Sequence, residues 1–144
     1  MTFTFRHFCV GLAISVIASI AAPITIALAE EREPAVTIPA TAAEIWGAVD
    51  VHMGTLRGVV KAGKLGEAHE HAFAVRDLVR ALPTHSPGLS EAAMATVKSN
   101  VKFVDTLATR IDQTGDSGDQ AGTEANLAKL EAVLKTLRAQ YPTS

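Results

Sequence analysis

Residues 41–83, TAAEIWGAVDVHMGTLRGVVKAGKLGEAHEHAFAVRDLVRALP, decide the fold class. The stretch opens on Thr41-Ala-Ala-Glu44. A Thr side chain there accepts the amide proton three residues on, and the Glu side chain reaches back to the Thr amide. The apolar residues that follow, Ile45, Val49, Leu56, Val59 and Val60, fall on one side of a helix at 3.6-residue spacing, with Trp46 and Met53 on its flank. Asp50, Arg57 and Lys61 fall on the other side. This predicts a helix over 42–62 that ends at Gly63, a residue that tolerates positive φ. A second helix is predicted over 65–82. Its stripe is Leu65, Ala68, Ala72, Val75, Val79 and Leu82, and Pro83 stops it.

The same pattern continues outward. Ser90 is a good N-cap for a third helix reaching about Ile111, with the stripe Val97, Val101, Val104, Ala108 and Ile111. Residues 112–122 are polar and carry three glycines, which predicts a long turn. A fourth helix starts near Thr123, with Leu127, Leu130, Leu134, Leu137 and Tyr141 as its stripe, and stops at Pro142. No segment alternates with period two. The expectation is an all-α, up-down-up-down antiparallel four-helix bundle over 41–142. The two hairpins also show a faint repeat. Gly63 answers to Gly115, and the second turn is expected to be about eight residues longer than the first.

Toward the N-terminus, residues 30–40 are charged and then proline-punctuated, and are expected to form an extended lead-in. Residues 1–29 carry one charged residue, Arg6, then an apolar run, then Ala27-Leu28-Ala29 ahead of Glu30-Glu31-Arg32-Glu33. A charged start, an apolar middle and small residues at −3 and −1 are the layout of a cleavable secretory signal. A retained anchor is the alternative, since Phe8 to Ala29 is long enough to span a bilayer. Cleavage would remove Cys9, the single cysteine, and leave residues 30–144 in a periplasm.

Composition narrows the function classes. The 144 residues hold 13 Lys and Arg against 15 Asp and Glu, a net charge of −2, so no basic face for nucleic acid is indicated. One cysteine excludes an internal disulfide framework and any zinc site built on cysteine pairs. The mean hydropathy of +0.22 is concentrated in the leader.

The distinctive side chains after the leader are His52, His69, His71 and His85. At ~100° per residue, His52 lies about 50° from the centre of its apolar stripe and His71 about 60° from its own, so both point partly inward. A polar ring facing a core needs a hydrogen-bond partner or a ligand. Imidazole binds copper, zinc, nickel and iron, and Met53 places a thioether next to His52. His52, Met53, His69 and His71 are therefore the candidate metal ligands. Counted from the turn, the rings of His52 and His71 are offset by roughly 6 Å along the axis, within side-chain reach. The other reading of His52 is a core histidine bonded to a neighbouring side chain. His69-Glu70-His71 is not a zinc-protease motif, which needs its two histidines four apart on one helical face. Asp112, Asp116 and Asp119 do not have calcium-loop spacing. No acid–base pair or nucleophile can be assembled, so an enzyme is not expected.

Two resemblances add to this reading. The four-helix layout and the terminal Val133-Leu-Lys-Thr-Leu-Arg-Ala-Gln-Tyr141 resemble the soluble periplasmic b-type cytochromes, which hold haem between a first-helix methionine and a last-helix histidine. Met53 would stand for the first ligand, whereas helix 4 lacks the histidine. The second rests on Ile45-Trp46, Asp50, Leu56, Gly63-Lys64-Leu65, His69-Glu-His-Ala-Phe73, Arg76-Asp77, and Leu82-Pro83. These are similar to small periplasmic proteins, some associated with heavy-metal or copper efflux systems. That resemblance implies a metal-handling accessory role, with His69 and His52 as the positions carried over. A non-catalytic module docking to an envelope or efflux protein is the competing expectation.

Overall fold

The structure is a computed structural model and describes residues 36–141; the leader, Cys9 and Pro142 lie outside the described residues. Within that range the chain is helical and no strand is present. Helix α1 runs Ala42–Lys61, α2 Ala68–Ala81, α3 Glu91–Asp116 and α4 Gln120–Arg138. Short 3-10 turns, Leu65–Glu67 and Leu82–His85, bracket α2. The four helices pack around one apolar core. None of the described helices is long and apolar enough to cross a membrane.

The predicted starts are formed as the sequence requires. The Thr41 amide donates to Glu44 Oε2 at 3.1 Å, and the Glu44 amide donates to Thr41 Oγ1 at 3.2 Å, so the reciprocal cap of α1 is complete. Ser90 Oγ accepts from the Ala93 amide at the start of α3. The predicted stripes line the core: Ile45, Leu56, Val75, Val79, Leu82, Val97, Ile111, Leu130 and Leu137 are all fully buried, and Leu78, outside the predicted stripe, joins them. Val36 and Ile38 of the lead-in pack against the same core.

The second turn corrects the sequence expectation. Residues 112–116 are not part of a turn; they continue α3, and α4 already begins at Gln120. The connection is Ser117–Asp119, shorter than the one between α1 and α2 rather than longer. Gly118, at φ +71°, makes this turn as Gly63, at φ +70°, makes the first. Gly115 serves packing. A Cβ built on it would meet the Leu65 carbonyl oxygen at 2.8 Å, so only glycine lets α3 come this close to the first turn. A polar run can be helical when its chain neighbours on the inner face, here Ile111 and Gly115, are buried.

The ends of the two hairpins are tied together. Gln120 Nε2 donates to the Val60 carbonyl at 2.9 Å, which gives a carbonyl in the last turn of α1 a second donor. Thr123, fully buried at the start of α4, donates through Oγ1 to the Asp119 carbonyl at 2.8 Å. Along the α1–α4 seam, Asp50 pairs with Arg138 and Arg57 with Glu131.

Candidate metal centre

His52, on α1, and His71, on the second turn of α2, meet across the first hairpin with their Nδ1 atoms 3.2 Å apart. Both rings are half-buried. The offset expected from residue counting is closed in part by the 3-10 turn, which advances ~2.0 Å per residue against ~1.5 Å in an α-helix and so carries His71 further from the turn. The ring centroids are 5.5 Å apart, and the planes are inclined at 44°. The nitrogen separation plus the two ring radii accounts for this whole centroid distance, so the Nδ1 atoms face each other almost head-on. Between two neutral rings such a contact is a hydrogen bond in which one Nδ1–H donates to the other Nδ1.

The surroundings of His52 favour its neutral form. Burial, then the neighbouring His71, pushes its pKa down from the ordinary 6.5, while the Glu70 carboxylate pulls it back up. A neutral imidazole with a free lone pair is the form that ligates a metal.

The other two candidates lie elsewhere. His69 is exposed, and its Nδ1–H donates to the Gly66 carbonyl at 2.8 Å, bracing the 3-10 turn at the foot of α2. Met53 is 2% exposed and turns toward α4. There it lines a half-open cleft of about 230 Å³ with Trp46, Val49, Leu134 and Arg138. Residue 53 follows residue 52 by ~100° around the helix, so sequence neighbours in α1 serve different seams. His85, in the loop, directs Nδ1 to the Ala81 carbonyl. Among the described residues, no group of three or more His, Cys, Asp or Glu side chains is gathered to hold a metal ion. What the fold offers is a two-nitrogen pair.

Two further clusters stand apart from the histidines. Asp77 is 6% exposed and is bound by Arg76 and Arg80, and Arg80 continues to Asp105 on α3. At the other end, Trp46 packs edge-on to Tyr141 with centroids 5.5 Å apart, and the Arg138 guanidinium lies over the Trp46 ring at 4.5 Å. Tyr141 shares a hydrogen bond with buried Ser86, and burial pushes its hydroxyl pKa up. Arg80 and Arg138 are exposed enough that these ion pairs each contribute ~1 kcal/mol or less. A signal was present for the first cluster, since Asp77 sits beside Leu78 on the inner side of α2. For the second there was none, because residues 46 and 138–141 meet only in three dimensions.

Comparison with protein-family models, with curated proteins and with solved structures finds no match to this chain.

Proposed function

We propose that the chain is an exported four-helix-bundle protein that binds a transition metal of the copper type through His52 and His71 and acts in metal tolerance. The observation that carries this is the pair itself. If His52 were a core histidine satisfied by a hydroxyl or carboxylate, no second ligand atom would be needed near it. Instead the nearest polar partner is another imidazole nitrogen at 3.2 Å, on the adjoining helix. The contact satisfies one nitrogen of each ring, and the same two nitrogens, turned toward each other from adjoining helices, are placed to hold an ion between them.

The rest of the proposal rests on the sequence. The leader layout over 1–29 supports export to a periplasm. The up-down-up-down order is supported by the short connections, and by α1 positions 50, 57 and 60 pairing with α4 positions 138, 131 and 120 in descending order. Titration of the purified protein with Cu(I), Cu(II), Zn(II) and Ni(II) tests the metal reading. The expected result is at least micromolar affinity for one of them, lost in His52→Ala/His71→Ala. Millimolar affinity for all four, unchanged in that variant, overturns it.

The adaptor reading keeps one observation: Val51 on α1 and Phe103 on α3 are large apolar side chains left 67% and 57% exposed. They offer contact points for an envelope or efflux component. The haem reading is supported less well. The cleft beside Met53, about 230 Å³, is smaller than the ~300–1,000 Å³ of ligand and cofactor pockets, and α4 carries no histidine.

A further inference from the structure

We infer that the His52–His71 pair is a linear, two-coordinate site for a monovalent soft ion, Cu(I) or Ag(I), rather than a fragment of a tetrahedral site for a divalent ion. This rests on the metal reading above and makes it specific in oxidation state, ligand atoms and geometry.

The direction of the lone pairs decides it. An imidazole lone pair lies along the line from the ring centre through the nitrogen. A tetrahedral ion at ~2.0 Å from both nitrogens would leave them close to the observed 3.2 Å apart, but with each ring tilted ~35° off the nitrogen–nitrogen line and the centroids about 5.1 Å apart. The observed centroid distance is 5.5 Å, the value for opposed rings. Opposed Nδ1 axes carry the shared hydrogen bond when no ion is held, and once that proton has left they serve an ion lying on the line between them. With bonds of ~2.0 Å the nitrogens must then move apart from 3.2 Å to ~4 Å, a shift of a few tenths of an ångström for each side chain.

Coordination number agrees with this direction. Two neutral imidazoles complete the shell of a linear d¹⁰ ion. They are half the shell of tetrahedral Zn(II), and no third His, Cys, Asp or Glu gathers with them among the described residues. Charge agrees too. The site is half-buried between two helices, and the cost of moving an ion out of water grows with the square of its charge, about fourfold from +1 to +2. The Glu70 carboxylate, whose field reaches His52, balances one positive charge and not two. Proton balance is simple. On binding, the Nδ1 proton leaves the shared hydrogen bond and its ring is reprotonated at Nε2, so the two rings stay neutral and no net proton is released.

The test uses the full-length protein in chloride-free buffer, with Ag(I) as a redox-inert probe followed through the ring-nitrogen NMR signals. Cu(I) and Zn(II) are then measured by chelator competition, and the Cu(I) form by X-ray absorption. The expected result is one Ag(I) per chain, with the Nδ1 signals of His52 and His71 shifted and those of His69 and His85 unmoved. Cu(I) should show two nitrogen scatterers, and its affinity should exceed that for Zn(II) by at least ~100-fold. His71→Gln should lower Ag(I) affinity by ~100-fold or more, while His69→Gln and Met53→Leu leave it unchanged. The wild-type NMR and absorption readouts stand even if a variant fails to fold. Zn(II) or Cu(II) bound at the pair as tightly as Cu(I), or a shell of three or more ligands, overturns the linear site while leaving the metal reading intact. No shift of either Nδ1 with any of these ions overturns both.

Discussion

The two helical hairpins of this protein turn on the same device and do different things with it. The α1–α2 hairpin turns at Gly63 and the α3–α4 hairpin at Gly118, each with φ near +70°. In both, backbone amides past the helix end bond back to its last carbonyls, Lys64 to Val59 and Asp119 to Thr114. The first then inserts a 3-10 turn before α2, while the second enters α4 directly, capped by Asp119 at the Gly122 amide. That insertion belongs to the hairpin in which His52 and His71 meet. Because α3 presses through Gly115 onto the Leu65 carbonyl, the second hairpin also braces the turn of the first. The more regular hairpin braces the less regular one, in which the two histidine rings meet.

Core truncations give the largest effect and ask whether the hairpins share one core. Leu78 in α2 and Leu130 in α4 are both fully buried. Leu78→Ala and Leu130→Ala should each lower the unfolding free energy by about 2–5 kcal/mol in urea denaturation. A shared core requires one cooperative transition in each variant; two separated transitions would make the hairpins independent units.

Next comes the contact between the hairpins. Gly115→Val forces a side chain against the Leu65 backbone and should destabilise by about 3 kcal/mol. Gly54 is also helical but faces open space. Gly54→Ala should instead stabilise by about 1 kcal/mol through helix propensity alone. Equal effects at 54 and 115 would remove the close approach from the comparison.

The turns themselves should respond alike. Gly63→Ala and Gly118→Ala each place a Cβ at positive φ and should cost about 1 kcal/mol, measurable as matched shifts in thermal midpoint. A clear difference between them would show that one turn is held by more than its glycine.

The smallest effect is pH-dependent and belongs to the first hairpin. The folded chain holds His52 below the ordinary pKa of 6.5. The unfolded chain therefore takes up that proton first as pH falls. The stability His52 contributes is complete above about pH 6.5 and is lost as pH drops below it. Denaturation midpoints between pH 7.5 and 5 should fall less in His52→Gln than in the wild type. Identical profiles would mean that burial of this ring does not govern its proton.

Much of the fold was legible in residues 41–83 and their continuation. Thr41 and Glu44, Ser90, Gly63 and the apolar stripes act over four residues or fewer, so their meaning survives without the rest of the molecule. The second turn was misread because Asp112, Gln113, Thr114 and Gly115 look like a loop when their partners are unknown. In the fold Gly115 packs beside Leu65 and Ala68, a contact no local pattern announces. The site was half legible. Helical angles pointed His52 and His71 inward, but they gave no means of separating Met53, which faces α4, or His69, which lies exposed with Nδ1 on the Gly66 carbonyl.

The sequence by itself determined the number of helices, the starts of α1 and α3, most of the buried faces and the glycine of the first turn, because capping, propensity and periodicity are local properties of the chain. Only the tertiary structure decided which of the four described histidines meet, that Asp77 is enclosed by arginines, and that Gly115 is a contact rather than a turn. Each of those depends on groups brought together by packing, which no local pattern of the sequence records.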